Sequence, residues 1–125
     1  MEIKEVTLNS KCDNLPIGIM IFIPEGEIKG IFQISHGMCE HKEMYYNFME
    51  YLTNQGYVTI INDHRGHGES VKNKNDLGYF YDNTADYIVE DLHQVTLYIK
   101  EMYPNKNITL LGHSMGSMVV RKYMK

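Results

Sequence analysis

The sequence predicts an α/β fold: a mostly parallel sheet, opened by an antiparallel hairpin and covered by helices on both faces. Three observations predict it. After two initial runs of β-formers, strands alternate with stretches of helical period. The later runs are apolar on both faces, through Ile31, Phe32 and Ile34 in 29–35 and a nearly continuous set of β-formers in 57–61, as strands covered on both sides are. Segments rich in chemically active residues also follow the ends of the predicted parallel strands, where sheets of this class gather their sites.

The elements follow in chain order. Val6 and Leu8 alternate with Glu5 and Thr7, which suits a half-buried first strand. A turn-like Lys11-Cys12-Asp13-Asn14 separates it from a second β-rich run, Ile17 to Ile23, so the pair reads as a hairpin. Pro24-Glu25-Gly26-Glu27 is a turn, and Lys29 to Ser35 is a third strand with Ile31, Phe32 and Ile34 apolar on both faces. The period then changes: Tyr45, Phe48, Met49 and Leu52 mark one face of a helix ending near Gly56. Tyr57 to Ile61 is a fourth strand, followed by a long patternless loop from His64 to Asn83 of the sort that often carries function. A long helix begins near Thr84 or Ala85, buries Ile88, Leu92, Val95, Ile99 and Met102, and closes at Pro104. Asn107 to Leu111 is a fifth strand, and Met115 to Met124, free of proline, suits a helix.

Composition narrows the function classes. The chain has 125 residues, 43% hydrophobic and 22% charged, consistent with one globular domain at most. A net charge of -4 without a basic block gives no support to nucleic-acid binding. The first five residues alternate in charge and lack the apolar region of a signal peptide, and no apolar run reaches the length of a membrane span. Two cysteines, Cys12 and Cys39, are too few for a disulfide framework. The expected setting is the cytoplasm, with free thiols.

The most informative stretch is Gly112-His113-Ser114-Met115-Gly116, which has the form G-x-S-x-G. A serine between a strand end and a helix start sits on a sharp turn that holds its hydroxyl above the sheet. Gly112 and Gly116 allow backbone to pass close to that turn. A helix N-terminus at the serine also aims free N–H groups at an oxyanion forming beside it. A plain Gly/Ser turn between strand and helix fits the pentapeptide equally well. Two further segments supply context: His36-Gly37-Met38-Cys39-Glu40-His41 after the third strand and Asp63-His64-Arg65-Gly66-His67-Gly68-Glu69-Ser70 after the fourth.

The three segments, in this order and spacing, resemble the α/β-hydrolase fold and, within it, the monoacylglycerol lipase and lysophospholipase-like branch, of serine aminopeptidase S33 type. The resemblance covers essentially the whole chain as the amino-terminal half of such a domain, residues 1–125, ending just after the nucleophile turn. It implies that Ser114 is the nucleophile and that the backbone N–H groups of Met38 and Met115 form the oxyanion hole. His36, Gly37, Gly112 and Gly116 would support that arrangement. It further implies that the loop from Asp63 to Ser70 is structural, with Asp63 and Arg65 tying it down. No cofactor is implied, and the substrate would be a small acyl ester or lipid.

This chain departs from the family pattern twice. Cys39 stands where glycine commonly follows the oxyanion residue, which bears on how that loop closes. In this fold the triad runs serine, acid, histidine along the chain, yet the eleven residues after Ser114 contain no Asp, Glu or His. The expectation is therefore a serine ester hydrolase whose triad acid and base lie outside this chain. The rivals are a catalytically inactive fragment, one half of a split hydrolase that associates with a carboxyl-terminal half or with itself, and a thioesterase or peptidase of the same fold.

Other residues invite weaker readings. His64-x-x-His67 lacks a third ligand at convincing spacing, so no zinc site is expected. His113 neighbours Ser114 but should point away around the turn, and His36 is better suited to ordering the oxyanion loop than to replacing the base. Cys39 would rival Ser114 only with a lowered pKa and a thiol facing the pocket. The fifth strand, normally paired on both sides, would be an apolar edge here and would promote association.

Overall fold

The computed structural model describes residues 1–11, 14–36, 42–63 and 86–112, with side chains in the last stretch from residue 89 onward. The five strands are β1 (Glu2–Asn9), β2 (Pro16–Ile23), β3 (Gly30–Ser35), β4 (Tyr57–Asn62) and β5 (Ile108–Gly112). A short 3-10 turn, Lys42–Tyr45, leads into helix α1 (Tyr46–Asn54), and helix α2 spans Asp86–Met102. They form one sheet in the order β1-β2-β4-β3-β5. β2 pairs antiparallel with both β1 and β4, while β3 pairs parallel with β4 and β5. The expected hairpin and parallel sheet are both present.

The path from β3 through α1 to β4 and the path from β4 through α2 to β5 step in opposite directions across the sheet. Right-handed crossovers then place the two helices on opposite faces. Packing agrees, because a strand's side chains alternate between faces. Ile17, Ile19 and Ile21 of β2 join Ile31, Val58 and Ile60 against Val95 and Ile99 of α2. Their neighbours Met20 and Phe22 join Ile34 and Ile61 against Met49 of α1. Each such fully buried aliphatic side chain is worth roughly 1.5–3 kcal/mol over an exposed one, which is what holds both helices down.

The α2 stripe falls as expected: Leu92, Val95 and Ile99 are buried and Met102 packs at its margin. Ile88 lies outside the described side chains. The α1 stripe needs correction at Phe48, which is 45% exposed. Only Met49 and Thr53 are fully buried on α1, because Thr53 takes the inward place by pairing its hydroxyl with that of Thr59 at 3.2 Å. Phe48 instead shares the outer face with Met44 and Tyr51.

Polar ties fix α2 over the sheet. Buried Gln33, in the middle of β3, donates from its amide to the Leu92 carbonyl at 3.1 Å, and its oxygen accepts from the Thr96 hydroxyl at 2.6 Å. The Ser10 hydroxyl donates to the buried Asp91 carboxylate at 2.6 Å. Gln94 grips the start of the β1–β2 turn, donating to the Asn9 carbonyl at 2.8 Å and accepting from the Lys11 N–H at 2.9 Å. A helix whose apolar stripe alone could slide is thereby held in one register.

Helix α1 ends as the sequence suggests. Gly56 has φ +103°, and its N–H donates to the Thr53 carbonyl at 2.9 Å. A Cβ there would also meet the Lys29 side chain at 3.1 Å. Gly56→Ala should therefore destabilise the chain by about 1–2 kcal/mol, the penalty of left-handed backbone for a residue with a Cβ. Chemical denaturation checks this, and an unchanged midpoint would contradict it.

β5 is the last strand of the sheet, and among the described residues it pairs on one side only, with β3. Its Ile108, Leu110 and Leu111 are half-buried, whereas β4 is buried from Val58 through Asn62. An apolar edge with open backbone groups templates further pairing. The isolated 125-residue chain is expected to sediment as dimers or larger species. A monomer with cooperative unfolding would contradict this.

Candidate active site

Parallel strands send their carboxyl ends to one edge, and the register aligns three of them. Ser35 is opposite Gly112 in the β3–β5 pair, and Ile34 is opposite Ile61 in the β3–β4 pair. Neighbouring strands lie about 4.8 Å apart. The chain therefore leaves the sheet at His36, at Asp63 and just beyond Gly112 from three adjacent strands, with β3 in the centre. His36 and Asp63 are fully buried, while Gly112 is exposed at the end of β5. Each of the three motifs thus begins at this edge.

Of the expected site residues, His36 and Gly112 are described and share that edge. Ser114, Met115, Gly116, Gly37 and Met38 lie outside the described residues, as do Cys39, Arg65, His64 and His67.

Between the first two exits lies a feature the sequence did not reveal. The Asp63 carboxylate accepts the backbone N–H of Lys42 at 2.6 Å through one oxygen and the Lys42 ammonium at 3.1 Å through the other. The ammonium also contacts Glu43 at 2.7 Å. Lys42 is 1% exposed and Asp63 is 0% exposed. The Asp63 N–H donates to the Gly18 carbonyl of β2 at 2.9 Å, which anchors the pair to the sheet. Burial alone would lower the Lys42 pKa, but the Glu43 hydrogen bond and the Asp63 charge outweigh it and hold the pKa above the ordinary lysine value. Asp63 was expected to secure its own loop. That loop lies outside the described residues; the described partner of the carboxylate is Lys42, at the far end of the segment that leaves β3.

In sequence Lys42 sits in His41-Lys42-Glu43, a polar run that reads as solvated surface. The signal that would have found it is the acid itself. A carboxylate immediately after a fully buried strand requires a counter-charge or several donors. Beside it, Asn62 Oδ1 is buried with no hydrogen-bond partner among the described residues.

Comparison with known proteins decides the family. Residues 26–125 match the family Serine aminopeptidase, S33. The chain belongs to that family of hydrolases. It is 36% identical over 91 residues to a monoglyceride lipase homolog of monkeypox virus, covering 73% of this chain and 31% of that protein. To the monoglyceride lipase of Rattus norvegicus it is 31% identical over 96 residues, covering 77% and 30%. The crystal structure of a thermostable carboxyl esterase from Bacillus coagulans superposes with a TM-score of 0.90 at 30% identity, covering 98% of this chain and 40% of that one. The fold is the α/β-hydrolase fold, and this chain corresponds to its amino-terminal part. It spans about a third of the length of these curated relatives. Among the described residues, no helix is long and apolar enough to cross a membrane.

Proposed function

We propose that this chain carries the nucleophile half of a serine ester hydrolase of the monoacylglycerol lipase and lysophospholipase-like type. The observation that carries the reading is the alignment of Ser35 with Gly112. It starts the His36-Gly37-Met38 and Gly112-His113-Ser114 segments from neighbouring positions on one sheet edge.

In this reading Ser114 Oγ attacks the ester carbonyl carbon and gives up its proton to a base. The carbonyl oxygen becomes an oxyanion facing the N–H groups of Met38 and Met115, each worth about 3–4 kcal/mol to the transition state by analogy with other serine hydrolases. Collapse expels the alcohol, which takes the proton, and leaves an acyl-Ser114 ester that water hydrolyses. His36 and Gly37 shape the first donor loop, and Gly112 and Gly116 clear space around the serine. The names of the relatives favour a lipid ester as substrate.

Residues 1–125 act as a partial hydrolase domain, and the triad acid and histidine come from a carboxyl-terminal half. The absence of Asp, Glu and His from the eleven residues after Ser114 favours this over a self-sufficient enzyme. Two cysteines without a disulfide framework favour a cytoplasmic setting. The test mixes the chain with the carboxyl-terminal part of a close relative and follows a short activated ester. Hydrolysis that appears on mixing and disappears in Ser114→Ala is the expected result. Hydrolysis that survives Ser114→Ala would overturn the assignment.

A further inference from the structure

We infer that Lys42 and Asp63 are positioning residues that lock the loop leaving β3 to the end of β4, and so set the placement of the first oxyanion donor. The inference rests on the proposed acyl-serine reading for its catalytic part, but its geometric part stands on described residues. The loop leaves the sheet at His36, which is fully buried and follows the residue paired with Gly112. It returns at Lys42, whose own N–H is bound by Asp63 at 2.6 Å. Both of its ends are therefore fastened to adjacent strands.

A neutral acceptor could satisfy one N–H. The arrangement instead uses a carboxylate that takes the backbone with one oxygen and the side chain of the same residue with the other. A two-point grip fixes the orientation of the peptide as well as its position, and charge-assisted bonds are shorter and stronger than neutral ones. The ammonium also bridges on to Glu43, at the first turn of the segment entering α1. The grip therefore sets where the loop ends and where the helix begins.

Misplacing a catalytic group by about 1 Å can cost about a hundredfold in rate. A pair that holds the loop but touches no substrate should therefore alter turnover rather than substrate affinity.

The experiment compares the full chain with Lys42→Arg and with the double variant Lys42→Met/Asp63→Asn. The double variant removes both charges of the Lys42–Asp63 pair together, which avoids setting one of them against an apolar replacement of the other. Hydrogen exchange, read residue by residue by mass spectrometry, should show the amide of residue 42 exchanging about ten- to a hundredfold faster in the double variant, the worth of one charge-assisted hydrogen bond. The β4 amides of Val58 and Ile60 should be unchanged, and Lys42→Arg should keep the wild-type protection. Unchanged exchange at residue 42, or equal acceleration at residue 42 and in β4, would overturn the grip.

The same variants, complemented with the carboxyl-terminal part of a relative, should lose up to about a hundredfold in kcat at constant KM. Lys42→Arg should recover most of it. Faster exchange with unchanged kcat would overturn the positioning role. If complemented wild-type chain shows no Ser114-dependent turnover, the acyl-serine reading fails, and the exchange data decide the grip independently.

Discussion

The isolated 125-residue chain is expected to hydrolyse activated esters no faster than background. A serine hydroxyl is a weak nucleophile near neutral pH unless a base removes its proton during attack. Among the eleven residues beyond Ser114 none is acidic and none is histidine. In a serine protease, loss of the catalytic histidine alone lowers turnover on the order of a millionfold, leaving only oxyanion-hole and binding effects. The same loss should hold here. Mixing with the carboxyl-terminal part of a close relative should restore several orders of magnitude, all of it dependent on Ser114. Robust Ser114-dependent turnover by the lone chain would mean that a residue such as His36, buried at the same edge, acts as the base.

The second large effect concerns stability. Lys42→Met should destabilise the chain by about 3–5 kcal/mol, because it removes the ammonium that the buried Asp63 carboxylate accepts at 3.1 Å. Lys42→Arg, which keeps the charge, should cost far less. The pH dependence has a definite sign. The folded-state pKa of Lys42 is raised above its ordinary 10.5 by Glu43 and Asp63 in spite of burial. Stability from the ion pair is therefore fully present below that ordinary value and is lost only as pH rises through the raised one. The difference between wild type and Lys42→Met should persist through neutral and mildly alkaline solution and shrink above about pH 10.5. Urea denaturation across this range measures it, and a difference that vanishes at neutral pH would contradict the pairing.

Where burial depended on local pattern, the sequence was readable. The alternation of Val6 and Leu8 corresponds to a half-buried face, and the apolar residues of β3 and β4 and the spacing of Leu92, Val95 and Ile99 to buried ones. Gly56 ended its helix as its conformational freedom required. Where burial depended on a distant partner, the pattern misled or said nothing. Phe48 has the spacing of a core residue, yet Thr53 takes the inward place because Thr59 waits across the helix–strand contact. Gln33 interrupts an apolar strand because α2 offers it the Leu92 carbonyl and the Thr96 hydroxyl. Lys42 looks like surface because its partner lies 21 residues away. The motifs around His36, Asp63 and Ser114 were legible as motifs, and the strand register brings their starting points to one edge.

The most direct measurement of the central claim is covalent labelling of the complemented protein with an activated phosphonate, followed by mass spectrometry to locate the adduct. A phosphonate traps the nucleophile that a base has activated, so it reports the chemistry without depending on the natural substrate. The account predicts a single adduct on Ser114, formed when both halves are present, abolished by Ser114→Ala and formed at background rate by the lone chain. An adduct on Cys39, or labelling of the complemented protein that leaves Ser114 unmodified, would contradict it.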